Sequence, residues 1–253
     1  MALGFRQLAI LDFARSAGQL HVDDLARRFD VTLQTIRRDL NELAEAGHLE
    51  RVHGGAVLRA PLANLGYRER VALNAAAKQA IGRACAAAIP DGASLVLNIG
   101  TTTEAVARAL LGHRGLTVVT NNMNVANILA QKDDVEVLLA GGRLRRSDGG
   151  LVGELATAFI SQFKPDIAVI GTSALDLDGD LLDFDLAEVT VSRAILAAAR
   201  QVFVVTDASK IGRRAPARIG SLAEVTRLFT DRPLPEPLAR ACQAWGVAVH
   251  LAQ

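Results

Sequence analysis

The chain has 253 residues, half of them hydrophobic, and a formal charge of +1, so it carries enough apolar side chain for a sizeable core and no overall charge bias that would dictate its partner. No run of about 18 apolar residues is free of charge or glycine, which excludes a membrane-spanning helix, and the N-terminus lacks a signal-peptide plan, which points to the cytoplasm. The two cysteines, Cys85 and Cys242, lie in apolar helix-like settings without metal-ligand spacing and read as buried thiols in a reducing compartment, with no metal site.

Ile10, Phe13, Ala14 and Ala17 form an apolar stripe on a first helix that Gly18 stops. Asp23 or Asp24 opens a short helix through Leu25, Ala26 and Phe29, and Asp30-Val31-Thr32 is a turn. The Thr32 hydroxyl can accept from the first turn of the next helix, which sets its start near Leu33. Ile36, Leu40 and Leu43 then share one helical face, leaving Gln34, Thr35, Arg37, Arg38 and Asn41 as a row of hydrogen-bonding side chains elsewhere. Helix-turn-helix proteins present such residues to base edges in the major groove. Gly47 ends the helical pattern, and Leu49-Glu50-Arg51-Val52 with Ala56-Val57-Leu58 reads as two short strands about the Gly54-Gly55 turn. Residues 1–58 are therefore a winged helix-turn-helix, in which Arg51 and His53 can touch DNA phosphate. The competing reading is a small three-helix bundle whose Arg37 and Arg38 are ordinary solvated charges. Seven arginines stand against eight acids between Met1 and Leu58, so any DNA-facing potential must be local.

From 59 to 77 the pattern loosens, with Pro61, Asn64, Gly66, Arg68, Glu69 and Arg70 interrupting any apolar face, and reads as a linker. Lys78 begins an amphipathic helix with Ile81, Cys85 and Ala88, and the Ala-rich stretch 75–88 reads as scaffold. Five short, nearly continuous apolar runs follow, Ser94–Asn98, Thr117–Thr120, Val135–Ala140, Ile167–Gly171 and Val202–Thr206, alternating with helical segments. That alternation predicts an α/β domain over 78–253 with a mainly parallel sheet, and so a two-domain α+β chain.

Ligands of such sheets collect beyond the carboxyl ends of the strands. Gly100-Thr101-Thr102-Thr103-Glu104 follows the first strand and opens a helix, where backbone N–H groups meet the positive end of the helix dipole, as in a phosphate cradle. Taken alone, the same turn is simply a good cap. Thr120-Asn121-Asn122, Gly141-Gly142, Asp148-Gly149-Gly150 and Asp207-Ala208-Ser209-Lys210 stand after other strands, and together they describe a pocket for a sugar or polyol phosphate. His21, His48, His113 and His250 are scattered and read as surface or packing residues.

Thr35-Ile36-Arg37-Arg38-Asp39-Leu40 with His53-Gly54-Gly55-Ala56, then Gly100-Thr101-Thr102, Thr120-Asn121, Gly141-Gly142 and Ser209-Lys210, resembles the DeoR family of bacterial transcriptional repressors along essentially the whole chain. Residues 98–107, 120–127, 148–154 and 159–163 are most similar to the family's glycerol-3-phosphate-responsive branch. The resemblance implies a homo-oligomeric repressor, dimer or tetramer, that binds double-stranded operator DNA of glycerol metabolism genes. It would need no cofactor, and sn-glycerol 3-phosphate would release it. A member sensing fructose 1-phosphate or deoxyribose 5-phosphate is the alternative. The C-terminal domain also resembles ribose-5-phosphate isomerase. By that likeness Gly100–Thr103 would hold the phosphate, Lys210 would pair with its charge or with a hydroxyl, and Glu188 would sit near the carbon chain. An enzyme is the rival this raises, since a carboxylate beside a sugar phosphate can act as a general base. The enzyme's Asp-Gly-Ala-Asp-type signature is replaced here by Thr172-Ser173-Ala174-Leu175-Asp176, one acid where two are expected, and the chain reads as a regulator. Three positions depart from the pattern. Thr32 stands where Ser is usual. Asn98 and Thr103 replace Asp and Pro, so that an acidic contact to a ligand hydroxyl would become an amide contact.

Overall fold

The computed structural model, which describes residues 4–17, 19–46, 49–52, 54–58 and 67–253, places the chain in two units, residues 1–65 and 66–253. In the first, α1 (Phe5–Ala17), β1 (Gln19–His21), α2 (Val22–Phe29), α3 (Leu33–Glu45), β2 (Leu49–Val52) and β3 (Gly55–Leu58) follow one another. Ile10, Leu20, Leu25, Ile36, Leu40, Leu43, Leu49 and Ala56 are buried in its core. Thr35 N donates to Thr32 Oγ1 at 3.2 Å, so the cap fixes the start of α3 at Leu33 as the sequence predicts. The start of α2 differs: it begins at Val22 after His21, without a side-chain cap. Asp23 and Asp24 lie inside its first turn and Arg27 and Arg28 in its last, where each charge suits the helix dipole. Gly18, Gly47, His48 and His53 lie outside the described residues.

The wing has a third strand that the sequence pattern did not reveal, because β1 is only three residues long and runs straight into α2. The antiparallel order is β1-β3-β2. Gly55 is fixed by this pairing, since a Cβ there would sit 1.8 Å from the Leu20 carbonyl oxygen. Gly55→Ala is expected to lower the opening free energy of the β1–β3 amides by about 3 kcal/mol, read by hydrogen exchange. Unchanged protection would show that the two strands can part without loss.

In the second unit, α4 (Tyr67–Ala72) and α5 (Ala75–Ala86) precede a parallel sheet formed by β4 (Ser94–Leu97), β5 (Thr117–Thr120), β6 (Glu136–Leu139), β9 (Ile167–Ile170), β12 (Gln201–Val205), β14 (Arg227–Thr230) and β15 (Ala248–Leu251). Between them lie the hairpin β7 (Arg143–Arg145) and β8 (Gly150–Val152), and an antiparallel sheet of β10 (Ala174–Leu175), β11 (Asp180–Asp183) and β13 (Ala217–Ser221). The remaining helices are α6 (Thr101–Ala109), α7 (Met123–Leu129), α8 (Glu154–Ile160), α9 (Leu186–Ala198) and α10 (Glu236–Trp245).

Both faces of the parallel sheet are covered. Val96, Ala168, Ile170, Val202 and Val204 join one core, and their neighbours Leu95, Leu97, Val169, Phe203 and Val205 join the other, which is why these strands read as unbroken apolar runs. The Ala-rich α5 is scaffold for a steric reason: a Cβ at Gly82 would come within 2.7 Å of the Ala105 backbone, so the small residue lets α5 lie close on α6. Of the stretch read as linker, residues 67–72 are helical, and the next helix starts at Ala75, three residues before Lys78.

The sheet order β15-β14-β12-β9-β4-β5-β6 reverses direction between β4 and β9. Successive strands step one way from β4 to β6, then restart on its other side at β9. The connections on either side of that point diverge and leave a crevice at the carboxyl ends of the strands. Cys85 and Cys242 are free buried thiols, and burial pushes the Cys85 thiol up, away from reactivity. Among the described residues no helix is long and apolar enough to cross a membrane.

Candidate functional site

In the first unit the polar face of α3 is open. Thr32, Gln34, Thr35, Arg37, Arg38 and Asn41 line one shallow cleft together with Arg6, Asp39, Glu42 and Glu45. Within it the charges are unequally free. Asp39 is 6% exposed, which helix periodicity alone did not single out, and it takes Arg6 Nε at 2.5 Å and Nη2 at 3.2 Å. Arg38 is held by Glu42 at 2.9 Å, one helical turn on. The hydroxyls of Thr32 and Thr35 bond each other at 2.9 Å. Gln34, Arg37 and Asn41 are exposed, and among the described residues no ion pair holds Arg37. Within the cleft, Arg37 is therefore the guanidinium left without an ion pair among the described residues. Arg51 is exposed on β2, opposite Ala56.

In the second unit the carboxyl ends of the strands bring together Gly100–Glu104, Asp148, Glu188 and Lys210. After β4 the chain turns at Gly100, with φ 145°, directly into α6 without a side-chain cap, so the first-turn N–H groups have no helical partner. Thr103 is fully buried, and its hydroxyl donates to the carbonyls of Asn98 at 2.8 Å and Gly100 at 2.6 Å. It shapes the turn rather than facing a ligand. Asn98 departs from expectation in the same way: it is 1% exposed, and its amide donates to Ser192 Oγ at 2.8 Å and accepts Ile99 N at 2.7 Å, so both amide atoms are engaged within the protein.

Other expected ligand contacts are also used within the protein. Thr120 donates to the Leu97 carbonyl at 2.6 Å, Asn121 to that of Leu151 at 3.2 Å, and Asn122 caps α7 through Asn124 N at 2.8 Å; all three are fully buried, and Asn121 Oδ1 and Asn122 Nδ2 are left without a partner among the described residues. The glycines serve the β7–β8 hairpin. A Cβ on Gly142 would meet the Val152 carbonyl at 2.9 Å and one on Gly150 would meet Ile99 at 2.5 Å, while Gly149 turns the chain at φ 77°. Gly141 is exposed, with open space about it.

Two charged groups make up the interior of the site. On one side Arg145, a residue without any local signal in the sequence, gathers three carboxylates: Asp148 by a two-pronged contact at 2.8 and 2.7 Å, Asp185 at 2.7 Å and Glu188 at 2.5 Å. Burial works against the Asp148 charge, yet Arg145 and then Arg70 hold its carboxyl below the usual range. For Glu188 the balance goes the other way. Burial first, and then the Asp183 carboxylate, push it up to about 7 despite Arg145.

On the other side Lys210 ends a tight turn, Ala208–Lys210, that Asp207 caps through Ser209 N at 3.1 Å. Burial pushes its ammonium down to about 8; Asp207 opposes this, while Arg213, Lys78 and Arg70 add to it. Lys78 is itself 5% exposed, and its Nζ donates to the Arg70 carbonyl. Asn74 donates to Asp207 at 2.9 Å, Arg70 to Asp148 at 2.9 Å and Tyr67 to Glu104 at 2.7 Å. Arg70, Asn74 and Lys78 are spaced by four, which is the signal that could have found them had the stretch been read as helix. Arg213 left none.

The arrangement is a polar crevice with a cationic side about Asp207 and an acidic side about Arg145, and it is chemically suited to a molecule with a phosphate at one end and hydroxyls along its length. His113 bonds the carbonyls of Ala86 and Ile89, His250 stacks on Phe229 at 4.8 Å, and His21 is exposed, as packing and surface residues. Among the described residues no three His, Cys, Asp or Glu side chains stand together to hold a metal ion.

Comparison with known proteins matches residues 6–61 to the DeoR-like helix-turn-helix domain and residues 73–232 to the DeoR C terminal sensor domain. The chain is 46% identical over 230 residues to the glycerol-3-phosphate regulon repressor of Escherichia coli K12, covering 91% of each. It is 39% identical over 236 residues to the HTH-type transcriptional repressor CsqR of the same organism, covering 93% of this chain and 90% of that one. Among solved structures, ribose 5 phosphate isomerase A from Neisseria gonorrhoeae is similar over 54% of this chain and 53% of its own, with a TM-score of 0.40 and 15% identity. A likeness at that level brings no activity with it.

Proposed function

The chain belongs to the DeoR family of helix-turn-helix transcriptional repressors, and on that premise we propose that it holds operator DNA through the open face of α3 and lets go when sn-glycerol 3-phosphate occupies the strand-end crevice of its sensor domain. One observation carries the reading: Lys78, Lys210 and Arg213 all face the carboxylate of Asp207, and Arg70, paired with Asp148, adds its charge to theirs, on a chain that also presents a polar recognition face. Gln34, Arg37 and Asn41 read base edges, while Thr32, Thr35, Arg38, Arg51 and His53 settle the module on the phosphates. Thr101 and Thr102, with the first-turn N–H groups of α6 and the ammonium of Lys210, hold the ligand phosphate. Glu188 accepts from a hydroxyl of the carbon chain, and Thr103, Thr120, Asn121, Asn122, Gly141, Gly142, Asp148, Gly149 and Gly150 form the walls. The protein acts as a homo-oligomer whose half-site spacing fits the operator only in the ligand-free state. Tenfold weaker operator binding then requires the ligand to prefer the released state by about 1.4 kcal/mol.

The identity to the glycerol-3-phosphate regulon repressor supports the choice of ligand. A titration of the protein against DNA from its own upstream region, with sn-glycerol 3-phosphate, fructose 1-phosphate and deoxyribose 5-phosphate, tests it. Release by glycerol 3-phosphate alone is expected. Release by one of the others would keep the repressor and replace its ligand, and DNA binding indifferent to all three would defeat the reading.

Lys210 gives the reading a pH signature. With its free ammonium at about 8 and a bound phosphate raising that value, the unliganded protein must take up a proton to bind once the pH exceeds 8. Above pH 8, where the Glu188 carboxyl at about 7 has already ionised, the dissociation constant should rise by up to about tenfold per pH unit. Lys210→Arg, which does not titrate in this range, should keep the profile flat by calorimetry; a sloping profile in that variant would assign the proton elsewhere.

A further inference from the structure

The first described helices after the wing carry three polar side chains at four-residue spacing, each turned toward the charged groups of the strand-end crevice. Asn74, in left-handed backbone at φ 52°, joins α4 to α5 and donates to Asp207. Lys78 reaches back to the Arg70 carbonyl and ties the two helices together. Arg70 contributes one nitrogen to Asp148, a carboxylate that Arg145 already holds by two bonds. Its Nε is buried with no hydrogen-bond partner among the described residues, and so is Nη1 of Arg213. A buried guanidinium N–H without an acceptor is unfavourable, and few such groups persist in a folded protein without a use. Here two of them, from elements far apart in sequence, belong to the group of cations that acts on Lys210. The planar fork of arginine suits phosphate oxygens, which two N–H groups can approach together.

We infer that Arg70 and Arg213 close on the anionic group of the ligand with their unmet N–H groups, and that Arg70 is the positioning residue through which occupancy reaches the DNA-binding unit. The inference rests on the reading of the chain as a ligand-released repressor. Arg70 lies on α4, the first described element after the wing, so a guanidinium drawn from Asp148 toward a phosphate shifts the helix at which the chain from the DNA-binding unit enters the sensor. Arg213 lies between the Ala208–Lys210 turn and β13, where the same contact adds affinity without touching that entry point. The two arginines therefore have different roles: both bind, and one transmits.

The test uses the full chain and two quantities for each variant: the calorimetric dissociation constant for sn-glycerol 3-phosphate, and the ratio of operator affinities without and with saturating ligand. Arg213→Gln should weaken ligand binding about tenfold or more while its release ratio at saturation stays that of the wild type. Arg70→Gln should weaken binding similarly, and its release ratio at saturation should fall toward one. Arg70→Lys, which keeps charge and helix but not the fork, should recover less than about half of the lost binding energy and guards against a variant that simply misfolds. Wild-type affinity and release in Arg70→Gln would overturn the inference, as would weakened binding with full release at saturation. A wild-type protein that no phosphate releases would instead defeat the underlying reading, so the two failures are distinguishable.

Discussion

Replacing Arg37 by alanine is expected to lower operator affinity by roughly 1 to 3 kcal/mol, about five- to 150-fold. The expectation follows from how the charges on α3 are disposed. Arg6 is committed to Asp39 and Arg38 to Glu42, which leaves Arg37 as the exposed guanidinium of the cleft without an ion pair among the described residues. It stands in the second turn of a helix whose first turn is locked by Thr32, so its backbone is presented on a fixed frame and binding costs only the freedom of the side chain, about 0.5 to 1.5 kcal/mol. Fluorescence anisotropy on operator and on scrambled DNA separates two modes of contact. A bidentate bond to a guanine edge makes the loss specific to the operator, and Arg37→Lys fails to restore it. Contact with a phosphate weakens both DNAs together and lowers the salt slope by about one. No loss on either DNA would remove Arg37 from the interface.

The features that sequence revealed are those with a local cause. The bounds of α3 follow from Thr32 and from Ile36, Leu40 and Leu43, all within a dozen residues, and the sheet strands follow from apolar runs that must be buried on both faces. The interior of the sensor is legible only in part. Asn98, Thr103 and Thr120 are residue types a ligand would use and stand where a ligand would bind, yet hydrogen bonds within the protein take them up first, while Asn121 and Asn122 are each committed through one amide atom only. Residue type and strand end mark a neighbourhood, and only the fold determines the direction of each donor. Conversely, Arg145 gathers carboxylates up to 43 positions away in sequence, a pattern with no period. Arg70, Asn74 and Lys78 do have a period, but the left-handed turn at Asn74 interrupts the helix, and the surrounding Pro, Gly and charge pattern reads as linker.

Lys210→Ala should have the largest effect on ligand binding, a loss of roughly 2 to 4 kcal/mol in affinity for the phosphorylated ligand, about 30- to 1,000-fold. Its operator binding without ligand should stay close to that of the wild type. What distinguishes this from damage to the fold is a second effect of opposite sign. Burial, with Arg213, Lys78 and Arg70, depresses the Lys210 ammonium in the folded protein below its ordinary 10.5 to about 8. The charged form is thus disfavoured by folding at every pH below that value, and the penalty fades only as the pH rises through 8 and the folded state gives up its proton. Below pH 8 alanine removes a cation that the unliganded fold tolerates at a cost, so the variant should unfold at a higher temperature than the wild type while binding ligand far more weakly. Above about pH 10 the stability difference should close. A lysine that merely supported the Asp207 turn would lose stability and affinity together. Scanning calorimetry at pH 7 and ligand titration of the same samples separate the two cases, and a Lys210→Ala protein that still answered fully to the ligand would take Lys210 out of the site.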